Sequence, residues 1–179
     1  MAELSPTGRV ILGMVAVEPR SGYDIKRIVD NSTRFFWAAS YGQIYPELKR
    51  LAKQGLIEPD AGPEGGRRRT RYRITEPGLE ALAEWIRSPD LVHEMRDEGL
   101  LKLFFAGLLE PEDAIRVVEA TRELAAAKHA ALLAIEPTAA AAERFGPLAV
   151  LRYGLGMSEF AINWCDETLK ELKELKEND

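Results

Sequence analysis

The chain has one cysteine, Cys165, and two histidines, His93 and His129, among 179 residues. A single cysteine excludes an intrachain disulfide, and so little thiol and imidazole leaves no zinc-ligand spacing. No P-loop, metalloprotease or nucleophile-elbow spacing occurs, and His93-Glu94 is an isolated pair, so neither catalysis nor a cofactor nor a bound metal is expected. No run of eighteen apolar residues is present to cross a membrane. The opening, MAELSPTGRV, carries Glu3 and lacks a basic segment ahead of an apolar one, so it does not read as a secretory signal. These absences point to the reducing cytoplasm.

What is present is an ordinary core-forming composition, 46% hydrophobic and 30% charged, which argues against wholesale disorder. The net charge of -5 is unevenly spread. Residues 1–88 hold fourteen Lys/Arg against eleven Asp/Glu, net +3, and residues 89–179 hold ten against eighteen, net -8. Five arginines fall between positions 67 and 73. A basic module is therefore joined to an acidic one, with Ser88-Pro89-Asp90 as the boundary.

Residues 6–18 read as an apolar helix closed by Pro19. Ser21 is placed to cap a second helix, with Tyr23, Ile25, Ile28 and Val29 on its apolar side. Ser40 is placed to cap a third, in which Ile44, Leu48, Leu51 and Ala52 follow an i, i+4, i+7, i+8 row and Gly55 supplies the end. Pro46 sits in the first two turns, where a missing amide donor costs least. Leu56–Glu58 and the alternating Arg71–Thr75 then read as two strands around an Asp60–Gly66 turn. Thr75 opens a fourth helix, with Leu79, Leu82 and Ile86 facing inward. Beyond the boundary come a short apolar helix around EGLLKLFFAGLL, a long alanine-rich helix from Glu110 to Glu136 broken at Pro137, and a last helix from about Pro147.

The expected fold is mainly α with a small two-stranded β wing. Residues 1–88 form a winged helix-turn-helix DNA-binding domain, and residues 89–179 a helical dimerisation and effector domain. In such a module the third helix enters the DNA major groove and the wing lies beside the backbone. Its apolar row leaves Tyr41, Gln43, Tyr45, Lys49 and Arg50 for the other faces. Glutamine can pair bidentately with adenine, while hydroxyls and cations reach phosphates. Tyr45 could equally pack on the second helix, and Arg71 and Arg73, on one face of their strand, could pair within the domain.

The string SYGQIYPELKRLAKQGLIEP, followed by a Gly/Arg-rich turn and RRTRYRITEPGLEAL, resembles the PadR family of bacterial transcription regulators. LGMVAVEPRSGYDIKRIV is similar to that family's first two helices. The resemblance covers about residues 8–87, and the remainder is similar by architecture to the helical C-terminal domain of longer members. It implies a homodimer on an inverted-repeat, double-stranded operator, usually a repressor, released by a small molecule. It also implies DNA contacts from Ser40, Tyr41, Gln43, Tyr45 and Lys49, and from the wing residues Arg67, Arg68 and Arg69, with Arg71 beside them.

Dimerisation is expected from the last helix. Leu148, Leu151, Leu155, Ser158, Ile162, Cys165, Leu169 and Leu172 alternate steps of three and four, a seam of the coiled-coil kind. Val150, Tyr153, Met157, Phe160 and Trp164 form a second stripe. A helix apolar on two faces needs two partners, here the domain's own long helix and a second subunit. Cys165, inside the seam, reads as a small buried hydrophobe. Trp37, Trp85, Phe104, Phe105 and Trp164 are candidates to line a pocket for a small aromatic or hydrophobic effector. The alternative is a winged-helix interaction module without specific DNA binding, against which the arginine-rich wing discriminates.

Overall fold

The computed structural model describes residues 4–31, 41–60, 70–91, 96–108, 110–141 and 145–178. They fall into two compact units, Met1–Val92 and His93–Asp179.

In the first unit, α1 (Pro6–Val17) begins where Ser5 accepts a hydrogen bond from the Gly8 amide and Pro6 fills the first helical position. Its Ile11, Leu12 and Val15 are fully buried and form the middle of the core. Ser21 and Asp24 then cap α2 (Gly22–Asn31) reciprocally: the Asp24 amide donates to Ser21 Oγ, and the Ser21 amide and hydroxyl donate to Asp24 Oδ2. Those bonds, with Arg27 and Arg71 near by, hold the Asp24 carboxyl below its ordinary range. Ile25 and Val29 of α2 meet the α1 residues.

A 3₁₀ turn, Tyr41–Gln43, leads into α3 (Ile44–Lys53), whose Ile44, Leu48 and Leu51 are buried on the same core. The helix ends as its sequence predicts. Gly55 takes φ +71, its amide donates to the Ala52 carbonyl, and the Leu56 amide donates to the Leu51 carbonyl. β2 (Ile57–Pro59) and β3 (Arg71–Ile74) pair antiparallel, with Ile57 opposite Ile74 and Glu58 opposite Arg73. A third strand, β1 (Arg20–Ser21), pairs with the other edge of β3, so the sheet order is β1-β3-β2. The sequence predicted only the hairpin, because two residues are too few to show a period of two.

Thr75 caps α4 (Glu76–Arg87): Thr75 Oγ1 accepts from the Gly78 amide and donates to the Gly55 carbonyl. The inward row of α4 differs from the expected one. Leu82 is buried, but Leu79 and Ile86 are exposed. Gly78 sets the rotation, since a β-carbon there would lie 2.0 Å from the Leu56 carbonyl oxygen. That close approach turns the Gly78–Leu82 line to the core and Leu79 away from it.

In the second unit, α5 (Glu98–Phe105) is capped by Asp97 and closes in a 3₁₀ turn, Ala106–Leu108. Then come α6 (Pro111–Ala141) and α7 (Phe145–Asn178). The sequence placed a break at Pro137, yet α6 continues through it to Ala141. A proline this near a helix end forfeits one hydrogen bond of a turn that frays in any case, and the alanines after it favour helix. Helices α6 and α7 pack antiparallel: Lys176, near the end of α7, pairs with Glu112 at the start of α6 at 2.6 Å, and Arg122 pairs with Asp166. Between them lie Val118, Cys165 and Leu169, with Leu103, Ile115 and Leu172 around the cluster. One polar contact interrupts this apolar seam, where His129 Nδ1 lies 2.9 Å from the buried Ser158 Oγ. Cys165 is fully buried and burial pushes its thiol pKa up, so it serves as a packing residue.

Candidate DNA-binding face

Helix α3 has two unlike sides. Ile44, Leu48 and Leu51 attach it to the core, while Gln43, Tyr45 and Lys49 stand outward. The apolar row is supplemented by a charged residue that nothing in the sequence singles out. Glu47 is buried, and its carboxylate is satisfied on two sides. Arg50 donates from Nε to Oε2 at 2.8 Å and from a terminal nitrogen to Oε1 at 2.6 Å, and Ser5 Oγ donates to Oε1 at 2.5 Å. The Arg50 guanidinium and the Ser5 hydroxyl hold the Glu47 carboxyl below the usual glutamate range, against the opposing effect of burial. Arg50, which the sequence left available to DNA, is thus committed to the module itself.

At the end of the 3₁₀ turn that leads into α3, Gln43 Oε1 accepts from Thr7 Oγ1 at 3.3 Å. Thr7 is buried while Gln43 is exposed, so the amide is fastened at its inner end and open at its outer one. Tyr45 packs against the start of the second helix, one of the two readings its position allowed. Its ring passes over Gly22, where a β-carbon would lie 2.7 Å from Cε1, and the residue nevertheless stays 57% exposed. Tyr45 and Lys49 also line a shallow groove of about 170 Å³ with Tyr23, Thr70 and Tyr72, where the start of α2, the outward side of α3 and the root of the wing converge. Phenol, hydroxyl and ammonium groups meeting at one groove suit an oxygen-rich anion such as a backbone phosphate. No feature of the sequence marks Tyr23, Thr70 and Tyr72 as neighbours of Tyr45, since strand pairing brings them there.

Arg71 gives Nε and a terminal nitrogen to the Pro19 carbonyl, at 3.2 and 2.5 Å. Arg73 pairs with its cross-strand neighbour Glu58 at 2.8 Å. Both hold the sheet together. Ser40, Arg67, Arg68, Arg69 and Trp37 lie outside the described residues, as does the Tyr41 side chain.

The row expected to meet a second subunit is occupied within one chain. Leu151, Cys165 and Leu169 are buried and Leu148, Leu155, Ile162 and Leu172 half-buried, because this is the side α7 turns to α6. The other stripe stays open: Val150, Tyr153, Met157 and Phe160 are exposed, Tyr153 at 65% and Phe160 at 63%. Trp164, at its end, packs on the Cys165 cluster. Of the remaining effector candidates, Trp85 belongs to the first unit and Phe104 and Phe105 to the second. Trp85 lies under the Arg9 guanidinium, 5.5 Å from the ring centroid. Phe104 and Phe105 touch edge to face, and both are exposed. A wide depression of about 500 Å³ in the second unit is lined by Glu112, Ile115, Arg116, Lys173 and Lys176 and by none of these aromatics.

Three helices, a hairpin wing and a closing helix, with a polar row facing out from a braced third helix, make the first unit a winged helix-turn-helix. Residues 11–84 match the transcriptional regulator PadR-like family, and residues 95–173 match the virulence activator alpha C-terminal family. The curated negative transcriptional regulator PadR of Bacillus subtilis is 28% identical over 169 residues, covering 89% of this chain and 93% of that protein. The crystal structure of Bacillus subtilis PadR in complex with operator DNA superposes with a TM-score of 0.81 at 27% identity, over 92% of this chain and 96% of that one. The structure of the same protein with p-coumaric acid gives a TM-score of 0.77 at 26% identity, over 94% and 99%. The chain belongs to the PadR-like family of transcriptional regulators. Among the described residues, no helix is long and apolar enough to cross a membrane.

Proposed function

We propose that this chain is a homodimeric cytoplasmic repressor that sets two copies of α3 into successive major grooves of an inverted-repeat operator and lets go when a small aromatic or hydrophobic molecule binds. The observation that carries the reading is the outward row Gln43, Tyr45 and Lys49 on a helix whose opposite side is clamped by Ile44, Glu47, Leu48 and Leu51. A recognition helix must present polar groups without rotating, and this one is fastened at both its apolar and its charged inward positions. Tyr41, Gln43, Tyr45 and Lys49, with Ser40 ahead of them, face DNA, and Arg67, Arg68 and Arg69 at the wing tip grip the neighbouring backbone. Arg71, on the Pro19 carbonyl, steadies the wing. Support for operator binding and for a small-molecule effector comes from Bacillus subtilis PadR, solved with operator DNA and with p-coumaric acid.

Two subunits pair through the open Val150–Phe160 stripe of α7, and reading both halves of an inverted repeat requires their recognition helices about one DNA turn, ~34 Å, apart. An effector that binds better to a dimer with another spacing lowers operator affinity by that difference in affinity. Selection of bound sequences from random DNA at fixed salt tests the reading. An enriched inverted repeat with half-sites one turn apart is expected, and a pool that stays random after repeated rounds removes it.

A further inference from the structure

The structure assigns Thr7 as a positioning residue for base readout: its hydroxyl turns the Gln43 carbonyl toward the protein, so that the amide offers DNA its NH₂ group and selects guanine over adenine. The inference rests on the DNA-binding reading of α3 and sharpens what one of its residues recognises.

Pairing of a glutamine with adenine uses both ends of the amide, the oxygen accepting from N6 and the nitrogen donating to N7. That geometry requires oxygen and nitrogen to face the base together. Here Oε1 accepts a hydrogen bond from Thr7 Oγ1 at 3.3 Å, and Thr7 is only 6% exposed, so the oxygen is turned inward to α1. The nitrogen, Nε2, is then the group of the exposed amide that points away from α1. Guanine presents two acceptors side by side in the major groove, O6 and N7, and an NH₂ donor serves both; adenine sets its own N6 donor against it.

The backbone that carries the amide is braced as well. Gln43 and Glu47 lie one turn apart on the same segment, and both are held from the first turn of α1: Gln43 by Thr7, and Glu47 by Ser5, with Arg50 closing the carboxylate from the other side. A rotation of α3 that freed the Gln43 oxygen would therefore have to break the Ser5–Glu47 bond as well.

The test uses the full chain and an operator recovered with it from random DNA. Binding is measured at one salt concentration on four duplexes that differ only at the base pair where Gln43→Ala loses discrimination. Wild type is expected to prefer guanine there. Thr7→Val removes the donor and keeps the branched shape, and should move the guanine-to-adenine ratio about tenfold toward adenine, with unchanged affinity for unrelated DNA and an unchanged melting curve. Thr7→Ser, which keeps the hydroxyl, should hold the wild-type ratio. A Thr7→Val protein with the wild-type ratio, a wild type that already prefers adenine at that position, or a Gln43→Ala protein with unaltered discrimination everywhere would each overturn the assignment and leave the regulator reading intact. Failure of the wild type to enrich any sequence overturns both.

Discussion

Ser5 Oγ and Glu47 Oε1 meet at 2.5 Å across 42 positions of sequence, and this contact ties the start of α1 to the recognition helix. The residue that caps α1 also supplies a donor to the one carboxylate buried on α3. Glu47→Ala leaves Arg50 and Ser5 facing an emptied, partly buried site, so it should lower the stability of the first unit by about 2 kcal/mol. Urea titration of the full chain reads this, and a loss indistinguishable from zero would mean that solvent replaces the carboxylate.

The same group makes stability depend on pH with a definite sign. Its folded pKa lies below the ordinary glutamate value of 4.5, so the unfolded chain takes up the proton first. The contribution of Glu47 is therefore complete above pH ~4.5 and disappears as pH falls through the lower folded value. The advantage of wild type over Glu47→Gln should be constant from pH 7 to pH 5 and shrink in more acid solution. An advantage that grew on acidification would contradict the assigned direction.

Among the described glycines of the first unit, Gly78 leaves the least room for a β-carbon. A β-carbon there would lie 2.0 Å from the Leu56 carbonyl oxygen, which already accepts from the Thr75 amide. Backbone on both sides cannot yield as a side-chain tip can. Gly78→Ala should cost about 3 kcal/mol, far more than Gly55→Ala, whose strain comes only from its positive φ and amounts to ~1 kcal/mol. Thermal unfolding of the two variants should rank them in that order.

These residues also mark how much of the fold and site is legible in the sequence. The Ile44, Leu48, Leu51 row, the Gly55 stop and the Thr75 cap are each written within a dozen residues, and each stands in the structure where periodicity puts it. Glu47 is not legible, because a glutamate with an arginine three residues on looks like a solvated pair until Ser5, 42 residues away, is known to meet it. Leu79 looks inward by spacing alone, whereas a glycine's contact with Leu56 sets the rotation of its helix. The apolar stripes of α7 are both visible, but which one faces α6 depends on tertiary packing that sequence does not encode locally. Arg71 is visible as a cation and not as the partner of Pro19, since β1 is only two residues long.

The two stripes of α7 should respond differently to substitution. Phe160→Asp lies on the open side and should yield a folded monomer with wild-type helicity. Leu169→Asp puts a charge into the Val118–Cys165 cluster and should unfold the second unit. Sedimentation at micromolar protein together with far-ultraviolet circular dichroism separates the outcomes. A dimeric Phe160→Asp protein would move the subunit interface to another surface.

The proposed wing contacts are tested best by their salt dependence. If Arg67, Arg68 and Arg69 each neutralise a phosphate, each releases counterions, and the slope of log affinity against log salt falls by about 0.9 for every such arginine removed. Replacing all three by alanine should therefore flatten the slope by roughly 2 to 3 per wing and weaken binding on every sequence alike. Gln43→Ala should leave the slope alone and alter discrimination, because a base-edge hydrogen bond displaces no condensed cation. Arg71→Ala gives the decisive comparison. Its guanidinium is held by the Pro19 carbonyl, so its removal should lower stability and leave the slope near that of wild type. A slope that dropped as much for Arg71→Ala as for a tip arginine would mean that the strand itself, and not only the turn, lies along the DNA backbone.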